Sequence, residues 1–537
     1  QAAAAHTAAP EAAAPPATEA PHASLAPVEV DGSVLEGGGQ IVRMAAAYAC
    51  IFSRAVRVTK VRAGRPKPGL AAQHLESLRL VCDISQGSLE NDYIRSREVT
   101  FTPAEVVPGD FRADPGTPGS ITMMVQASLF PLLFAGGSSA VEYCGSTDAP
   151  YSPPLDFLQR VLLLALRAMG ARVDVSCVAR GFLPLGGGCA KLCIDALREP
   201  LKPLVLCDPG TPLRLEARVY VTKHADDEAG VVAAVRDVVL HEAPESAVEL
   251  CVTGATDDAA PAFWVDVLAL TTAGARFHAS SLPSRQPDTG DVSRGGDKRT
   301  SIAAACAMAA QRACELLERQ LASGAAVDEH LLDQLILPAS LAAGKSRFLA
   351  AMPSQHALAA LHVAELLVPG VRTRKQQLGD LCLIEVDGVG HRPATRLGTP
   401  PAASAEQAEA RRRKREQQRE DDRRFRELLC LRDGDEGAEA LRRALATLAP
   451  EAAASLLHGY SAPGRPLLVD ALLRTGACHV DARRGKDGCT ALHLAEYNGH
   501  ADVTDVLRAH SADPSLLNKW GETPADAAVA ARRTRGG

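Results

Sequence analysis

Aromatic side chains are scarce in this chain: 2 Trp, 7 Tyr and 11 Phe among 537 residues, 4% in all. Much of the 46% apolar share is alanine, which favours helix but buries little area per residue. Cores must therefore be thin and spread over length. No run approaches the roughly 20 apolar residues of a membrane span. Basic charge is not in excess either, since 58 Lys and Arg against 64 Asp and Glu leave a formal net charge of -6. That excludes a protein coating nucleic acid through global positive charge, so any RNA or DNA contact must be local. The 14 cysteines contain no C-x-x-C pair, and the nearest two, Cys189 and Cys193, have no second pair to complete a zinc site. This spacing predicts reduced, mostly buried thiols and a nuclear or cytoplasmic location. The chain starts at Gln1 rather than methionine, which leaves room for a targeting segment ahead of it.

What is present is enough apolar residue to fold, and a length that predicts three or four domains at roughly 150 residues each. Residues 1–26 are almost only Ala, Pro, Thr, His and Glu, a composition that predicts a disordered leader. From 27 to 395 the pattern is globular. Runs such as Val56–Val61 and Leu381–Val386 read as strands, and helix-length apolar periodicity lies between them, which predicts an α/β (α+β) layered architecture. One helix is expected from a Thr300 or Ser301 cap to about Leu321, and a second from Asp328 to a stop at Pro338. Residues 396–430 carry Arg411-Arg412-Arg413-Lys414-Arg415 followed by Glu416, Glu420, Asp421 and Asp422, and read as a charged helical linker.

In 431–537, Thr490-Ala491-Leu492-His493-Leu494-Ala495 is followed 33 residues later by Thr523-Pro524-Ala525-Asp526, with Gly488 and Gly521 at the same spacing. That is the ankyrin period, and this tail resembles an all-α ankyrin-repeat array. Leu467–Gly476 fits the second helix of a preceding degenerate copy. His493 reads as a structural histidine of the repeat rather than a ligand.

Two stretches carry chemistry. In Glu36-Gly37-Gly38-Gly39-Gln40-Ile41-Val42-Arg43, consecutive glycines allow close backbone approach to a phosphate or, equally, a tight turn. In Arg62-Ala63-Gly64-Arg65-Pro66-Lys67-Pro68-Gly69, followed by Gln73 and His74, three cations crowd one short loop, a density that favours an anion partner or full solvation. Further on, Pro353-Ser354-Gln355 precedes an apolar helical run from Ala357 to Leu367. His356 is thereby predicted at a helix N-terminus, where the macrodipole disfavours imidazolium, keeps a ring nitrogen available as a nucleophile and attracts phosphate.

These blocks resemble the RNA 3'-terminal phosphate cyclase family. The resemblance extends in order through Gly119-Ser120-Ile121-Thr122 with Gln126, Gly145-Ser146-Thr147-Asp148 with Pro153, Pro154 and Phe157, Arg180-Gly181-Phe182, Asp333-Gln334-Leu335 and Pro353-Ser354-Gln355-His356. It covers residues 28–392. It implies three repeated units, each a four-stranded sheet with two helices, divided here as 27–194 and 287–395 around a small α/β insert at 195–286. It implies ATP-dependent conversion of an RNA 3'-phosphate to a 2',3'-cyclic phosphate through adenylylation of His356 and then of the RNA end.

By the same resemblance Glu36 would help hold a divalent metal, Mg or Mn. Arg43, Arg62, Arg65 and Gln73 would line the phosphate site, and Gln126 with His330, Leu331, Leu332, Asp333 and Gln334 would bind ATP. Guanidinium groups and one metal are the expected tools for phosphoryl chemistry that works by positioning and charge neutralisation. The family commonly has tyrosine where this chain has His330, a smaller π face. Two other readings compete: a catalytically inactive cyclase-like ribosome-biogenesis factor acting on pre-rRNA, and an ankyrin scaffold. The related inactive branch lacks the histidine that this chain keeps at 356. The partners expected are RNA with a 3'-phosphate and a protein held by the ankyrin repeats, with no membrane.

Overall fold

The computed structural model describes residues 26–35, 37–182, 186–221, 228–242, 247–252, 262–281, 284–285, 302–394, 428, 431, 433–445, 450–462, 464–484 and 488–535. Glu36 lies outside the described residues, as do the predicted leader apart from residue 26 and the predicted linker apart from residue 428. The chain divides into two compact units, Gln1–Pro401 and Ala402–Gly537.

The first unit uses one topology three times. In the first repeat, β1 (Val28–Asp31), α1 (Gln40–Ile51), β2 (Val56–Thr59), α2 (Ala72–Ile84), β3 (Ser88–Glu90) and β4 (Val99–Thr102) give the sheet order β1-β2-β4-β3. β1 and β2 are parallel and the remaining pairs antiparallel. Val56 and Val58 are buried while Arg57 and Thr59 are only half-buried, the period-two alternation of a sheet with one face on a core. The second repeat starts with β5 (Asp110–Ala113), α3 (Ile121–Leu133) and β6 (Ser139–Gly145). A helix follows, formed by α4 (Leu155–Phe157), a π-helical turn at Leu158–Leu162 and α5 (Leu163–Ala168), and then β7 (Arg172–Ala179) and β8 (Gly188–Asp195). Its sheet order, β5-β6-β8-β7, repeats the first.

The third repeat is interrupted. It opens with β9 (Val205–Leu206), and the chain then builds a separate sheet from β10 (Pro212–Val221), β11 (Ala247–Val252), β12 (Ala262–Thr271), β13 (Arg276–Ser280) and β14 (Ser284–Arg285). Two helices, α6 (Glu228–Glu242) and α7 (Ile302–Ala322), pack on it. The repeat resumes with α8 (Glu329–Leu341), β15 (Lys345–Ala351), α9 (Gln355–Leu367), β16 (Arg372–Leu378) and β17 (Leu381–Asp387), in the order β16-β17-β15-β9. The body is therefore three four-stranded α/β units plus a small inserted α/β layer.

The boundaries of that layer differ from the 195–286 expected. β9 falls inside that range yet pairs in parallel with β15 of the body. α7 falls beyond it, yet Ala305, Cys306, Ala309, Ala310, Ala313, Cys314 and Leu317 bury into the core of β10, β12 and β13. Composition marks neither limit, because one follows from where a strand pairs and the other from where a helix packs. α8 also departs from its expected stop: it continues to Leu341 with Pro338 inside it, because proline removes one N–H near the helix end and the surrounding residues are fully buried. The cap expected at Thr300 or Ser301 lies outside the described residues.

α1 is the central strut. It packs against α2, α3 and α9, and Ala45, Ala46, Ala47 and Ala49 are almost wholly buried, small enough for those helices to close on it. Tyr48 Oη lies 2.9 Å from Ser340 Oγ of α8, a buried hydrogen bond that ties the first repeat to the third.

The second repeat meets the inserted layer along a charged seam. Asp156 accepts from Tyr220 Oη at 2.5 Å and pairs with Arg180 at 2.6 Å and Arg218 at 3.3 Å. Arg180 also pairs with Asp148 at 3.2 Å and stacks over the Tyr220 ring, which lies parallel to Trp264. Burial pushes the Asp148 carboxyl up to about 6 and that of Asp266 well above the usual range. Burial acts the same way on Asp156, but Arg180 and the Tyr220 hydroxyl outweigh it and hold that group below the usual value.

The second unit is helical among its described residues: α10 (Asp435–Leu445), α11 (Pro450–Ser461), α12 (Pro466–Arg474), α13 (Ala491–Asn498), α14 (Ala501–Ala509) and α15 (Pro524–Arg535). α11 and α12 form one antiparallel pair and α13 and α14 the next, with α11 against α13 and α12 against α14, the stacking of an ankyrin array. Buried His493 bonds through Nδ1 to Thr490 Oγ1 at 2.9 Å and through Nε2 to Glu522 O at 3.0 Å, so it joins one repeat to the next. His458 does the same, reaching Ala482 O at 2.8 Å. Among the described residues every cysteine is a free thiol, but Cys177 and Cys193 are exposed, so the expectation of buried thiols holds for only part of the set. No described helix is long and apolar enough to cross a membrane.

Candidate active site

Helix N-termini from all three repeats supply the site. In each repeat the first two strands run parallel, so the loops leaving them open at the same sheet edge and feed the helices that follow. α1 begins at Gln40 after the glycine run, α2 at Ala72 after the cationic loop, α3 at Ile121, α8 at Glu329 and α9 at Gln355. Their unsatisfied N–H groups and positive dipole ends suit an anion.

His356 is the second residue of α9. Ser354 caps that helix by accepting from Ala357 N at 3.2 Å. The half-buried imidazole places Nδ1 2.8 Å from Gln40 Oε1 at the start of α1. With the amide oxygen as acceptor, Nδ1 carries the proton and Nε2 the lone pair. The Gln40 amide nitrogen is buried and, among the described residues, has no hydrogen-bond partner, a donor matched to a ligand oxygen.

Arg43 follows one turn along α1. It is 5% exposed, and its Nε donates to Gln126 Oε1 of α3 at 2.8 Å, so two residues expected in the site meet across repeats. Gln73 accepts from Ser120 N at 2.9 Å, tying the start of α2 to the start of α3. Arg62 has φ 52°, in the left-handed region, and its Nη1 donates to Lys67 O and Gly69 O at 3.0 and 2.9 Å. That geometry makes Arg62 a brace of its own loop. Arg65 on the same loop is exposed.

In α8, Asp328 caps the helix by accepting from Leu331 N at 2.7 Å. Leu331 and Leu332 are buried in the hydrophobic core, so in the expected nucleotide segment His330, Asp333 and Gln334 are the residues that extend beyond it. His330 is exposed, with its ring edge-on to Phe157 at 6.4 Å between centroids. Burial pushes the Asp333 carboxyl up to about 8, against the opposing pull of His356 and Arg43.

Two residues of the site were not assigned a role by sequence reasoning, although both stand in the quoted stretches. One is Gln40. The other is His74, which is buried against the glycine run: a Cβ placed on Gly39 would lie 2.0 Å from His74 Nε2, so glycine is required there. Burial lowers the His74 pKa well below the usual value, and Arg43, Arg62 and Arg65 push the same way, so the ring stays neutral among cations. The only signal for either was adjacency to a glycine or a glutamine already singled out.

A family model described as RNA 3'-terminal phosphate cyclase matches residues 34–372. The chain belongs to that family. A cyclase of Archaeoglobus fulgidus is 32% identical over 339 residues, 61% of this chain and 92% of the relative. RNA 3'-terminal phosphate cyclases of Staphylothermus marinus and Desulfurococcus amylolyticus are 31% and 30% identical, each over 68% of this chain and 99% of the relative. The matched region of this cyclase family member includes the second repeat and the insert and most of the other two repeats, leaving out β1 and β17. An ankyrin-repeat model matches residues 487–519, the segment of α13 and α14.

Proposed function

We propose that the chain converts an RNA 3'-phosphate to a 2',3'-cyclic phosphate with ATP. The observation that supports this best is His356 at the N-terminus of α9, with Nδ1 engaged by Gln40, which places the ring lone pair on Nε2 as the nucleophile. His356 Nε2 attacks the α-phosphorus of ATP and pyrophosphate leaves. The adenylyl group then passes to an oxygen of the RNA 3'-phosphate, freeing the histidine. The neighbouring 2'-hydroxyl closes the ring with loss of AMP.

Arg43, which donates to Gln126, offers a guanidinium to phosphate oxygens, and the Gln40 amide nitrogen, which has no partner among the described residues, suits the same ligand. The exposed His330 ring, backed edge-on by buried Phe157, offers an aromatic surface for the base, with Asp333 nearby on the next turn of α8. Glu36 is the carboxylate assigned to a divalent ion, Mg or Mn, which when bound would offset phosphate charge. Retention of His356 speaks against the inactive ribosome-biogenesis reading. The helical second unit suits a protein partner.

The test is incubation with α-labelled ATP and a divalent metal, followed by a search for an acid-labile, alkali-stable protein adduct. An adduct lost in His356→Ala supports the reading. No adduct in wild type, or equal labelling of the variant, overturns it.

A further inference from the structure

The loop between β3 and β4, residues 91–98, lies outside every block that identified the family, yet its position is informative. Val99 pairs with Val58, so this loop opens at the same sheet edge as the loops after β1 and β2. Backbone bonds lash it to the cationic loop: Arg95 N donates to Leu70 O at 2.8 Å, Leu70 N to Ser96 O at 2.9 Å, and Val61 N to Arg97 O at 2.8 Å. A Cβ on Gly69 would lie 2.3 Å from Arg95 O, which shows how closely the two loops approach.

The loop's acidic groups are neutralised within the fold, since Asp92 pairs with Arg79 at 3.3 Å and Glu98 with Arg57 at 3.0 Å. Its cations are not. Arg95 and Arg97 are exposed and, among the described residues, make no side-chain ion pair, and Arg95 lies close enough to Arg62 to repel it. Beside them Tyr93 is 58% exposed and Ile94 49%, and the Tyr93 ring has no aromatic neighbour among the described residues. Asn91 and Arg95 hold left-handed φ angles of 60° and 70°, a strained backbone that turns these side chains outward instead of folding them in. An aromatic face beside surplus arginines, on a rigid edge next to a phosphate site, fits a single-stranded nucleic acid. A protein partner would leave the surplus charge unexplained, whereas a strand has one phosphate per nucleotide to meet it.

Resting on the RNA-end reading above, we propose that residues 91–97 form the platform that receives the RNA strand upstream of its 3'-phosphate, with Tyr93 stacking on a base and Arg95 and Arg97 meeting the phosphates. The terminal phosphate then sits at the helix N-termini, and the preceding nucleotides pass over this loop.

Binding of a fluorescent ten-nucleotide RNA with a 3'-phosphate, and of a dinucleotide with the same end, tests this without ATP. Wild type should bind the longer RNA more tightly. Tyr93→Ala should raise its Kd roughly tenfold while Tyr93→Phe leaves it unchanged. Arg95→Ala with Arg97→Ala should lower the slope of log K against log salt by roughly 1.4, at 0.7 for each phosphate released. None should alter dinucleotide binding or labelling of His356 by ATP, which also reports correct folding. Equal binding of the two RNAs by wild type, or variants that bind the longer one as wild type does, overturns the platform. Failure of ATP labelling in wild type overturns only the chemistry proposed earlier.

Discussion

His356 Nδ1 and Gln40 Oε1 stand 2.8 Å apart although 316 residues separate them, so the candidate nucleophile of the third repeat is oriented by the first. Gln40→Ala should leave the fold intact, free the imidazole to take either tautomer and slow formation of the adenylylated protein roughly a hundredfold. Single-turnover labelling with α-labelled ATP measures this. An unchanged rate would mean that the ring is oriented by something else.

Arg43 presents a planar fork whose Nε donates to Gln126 Oε1. Arg43→Lys keeps the charge but loses the second donor pair, so cyclisation should fall at least tenfold while the circular dichroism spectrum stays that of wild type. Activity close to wild type would show that only the charge is needed at this position.

Asp333 gives a pH signature. Burial pushes its carboxyl up to about 8, far above the usual carboxylate value of about 4. Between those values the native state holds a proton that the unfolded chain has released, so this group's contribution to stability is full at low pH and is lost as pH rises towards 8. Asp333→Asn cannot titrate. Its melting temperature should therefore rise relative to wild type as pH goes from about 5 to 8, and a constant difference across that range would contradict the assignment.

The seam between the second repeat and the inserted layer predicts an asymmetry between two aspartates. Asp156 holds Arg180, Arg218 and Tyr220, so Asp156→Asn leaves buried cations short of a partner and should cost about 3 kcal/mol in urea denaturation. Burial pushes the Asp266 carboxyl well above the usual range, towards its neutral form, so Asp266→Asn should change stability by less than about 1 kcal/mol. Equal effects would mean that the charge is distributed otherwise.

In the second unit, His493→Ala removes a bond between consecutive repeats, taking one donor from Glu522 O, which also accepts from Asn518 N. The unfolding transition of residues 402–537 should lose about 2 kcal/mol. Labelling of His356 serves as the readout that should not move.

Local patterns were legible in the sequence where one element carried them. The helix start before His356, the strand Val56–Thr59 and the histidine of the ankyrin phrase all have signals within a few residues. The threefold repeat came from resemblance, since the units share hydrogen-bond order and not a recurring motif. Pairings across repeats left no trace: nothing near Gln40 announces His356, and nothing near Arg43 announces Gln126. Composition also misled in one respect. The alanines read as residues that bury little and make for thin cores, yet in α1 they are the surface on which the helices close.

The interruption of the third repeat has a consequence for how the protein is made. Leu204 N donates to Ser346 Oγ and Arg347 N to Leu204 O, across more than 140 residues, so β9 leaves the ribosome long before its partner strand exists. The first two repeats can close as they emerge, because their strands are near neighbours in sequence. The third must hold an open strand while the whole insert is synthesised, and non-local pairing of that kind is slow. The histidine of α9 thus reaches its place last, after the glutamine that orients it has long been folded.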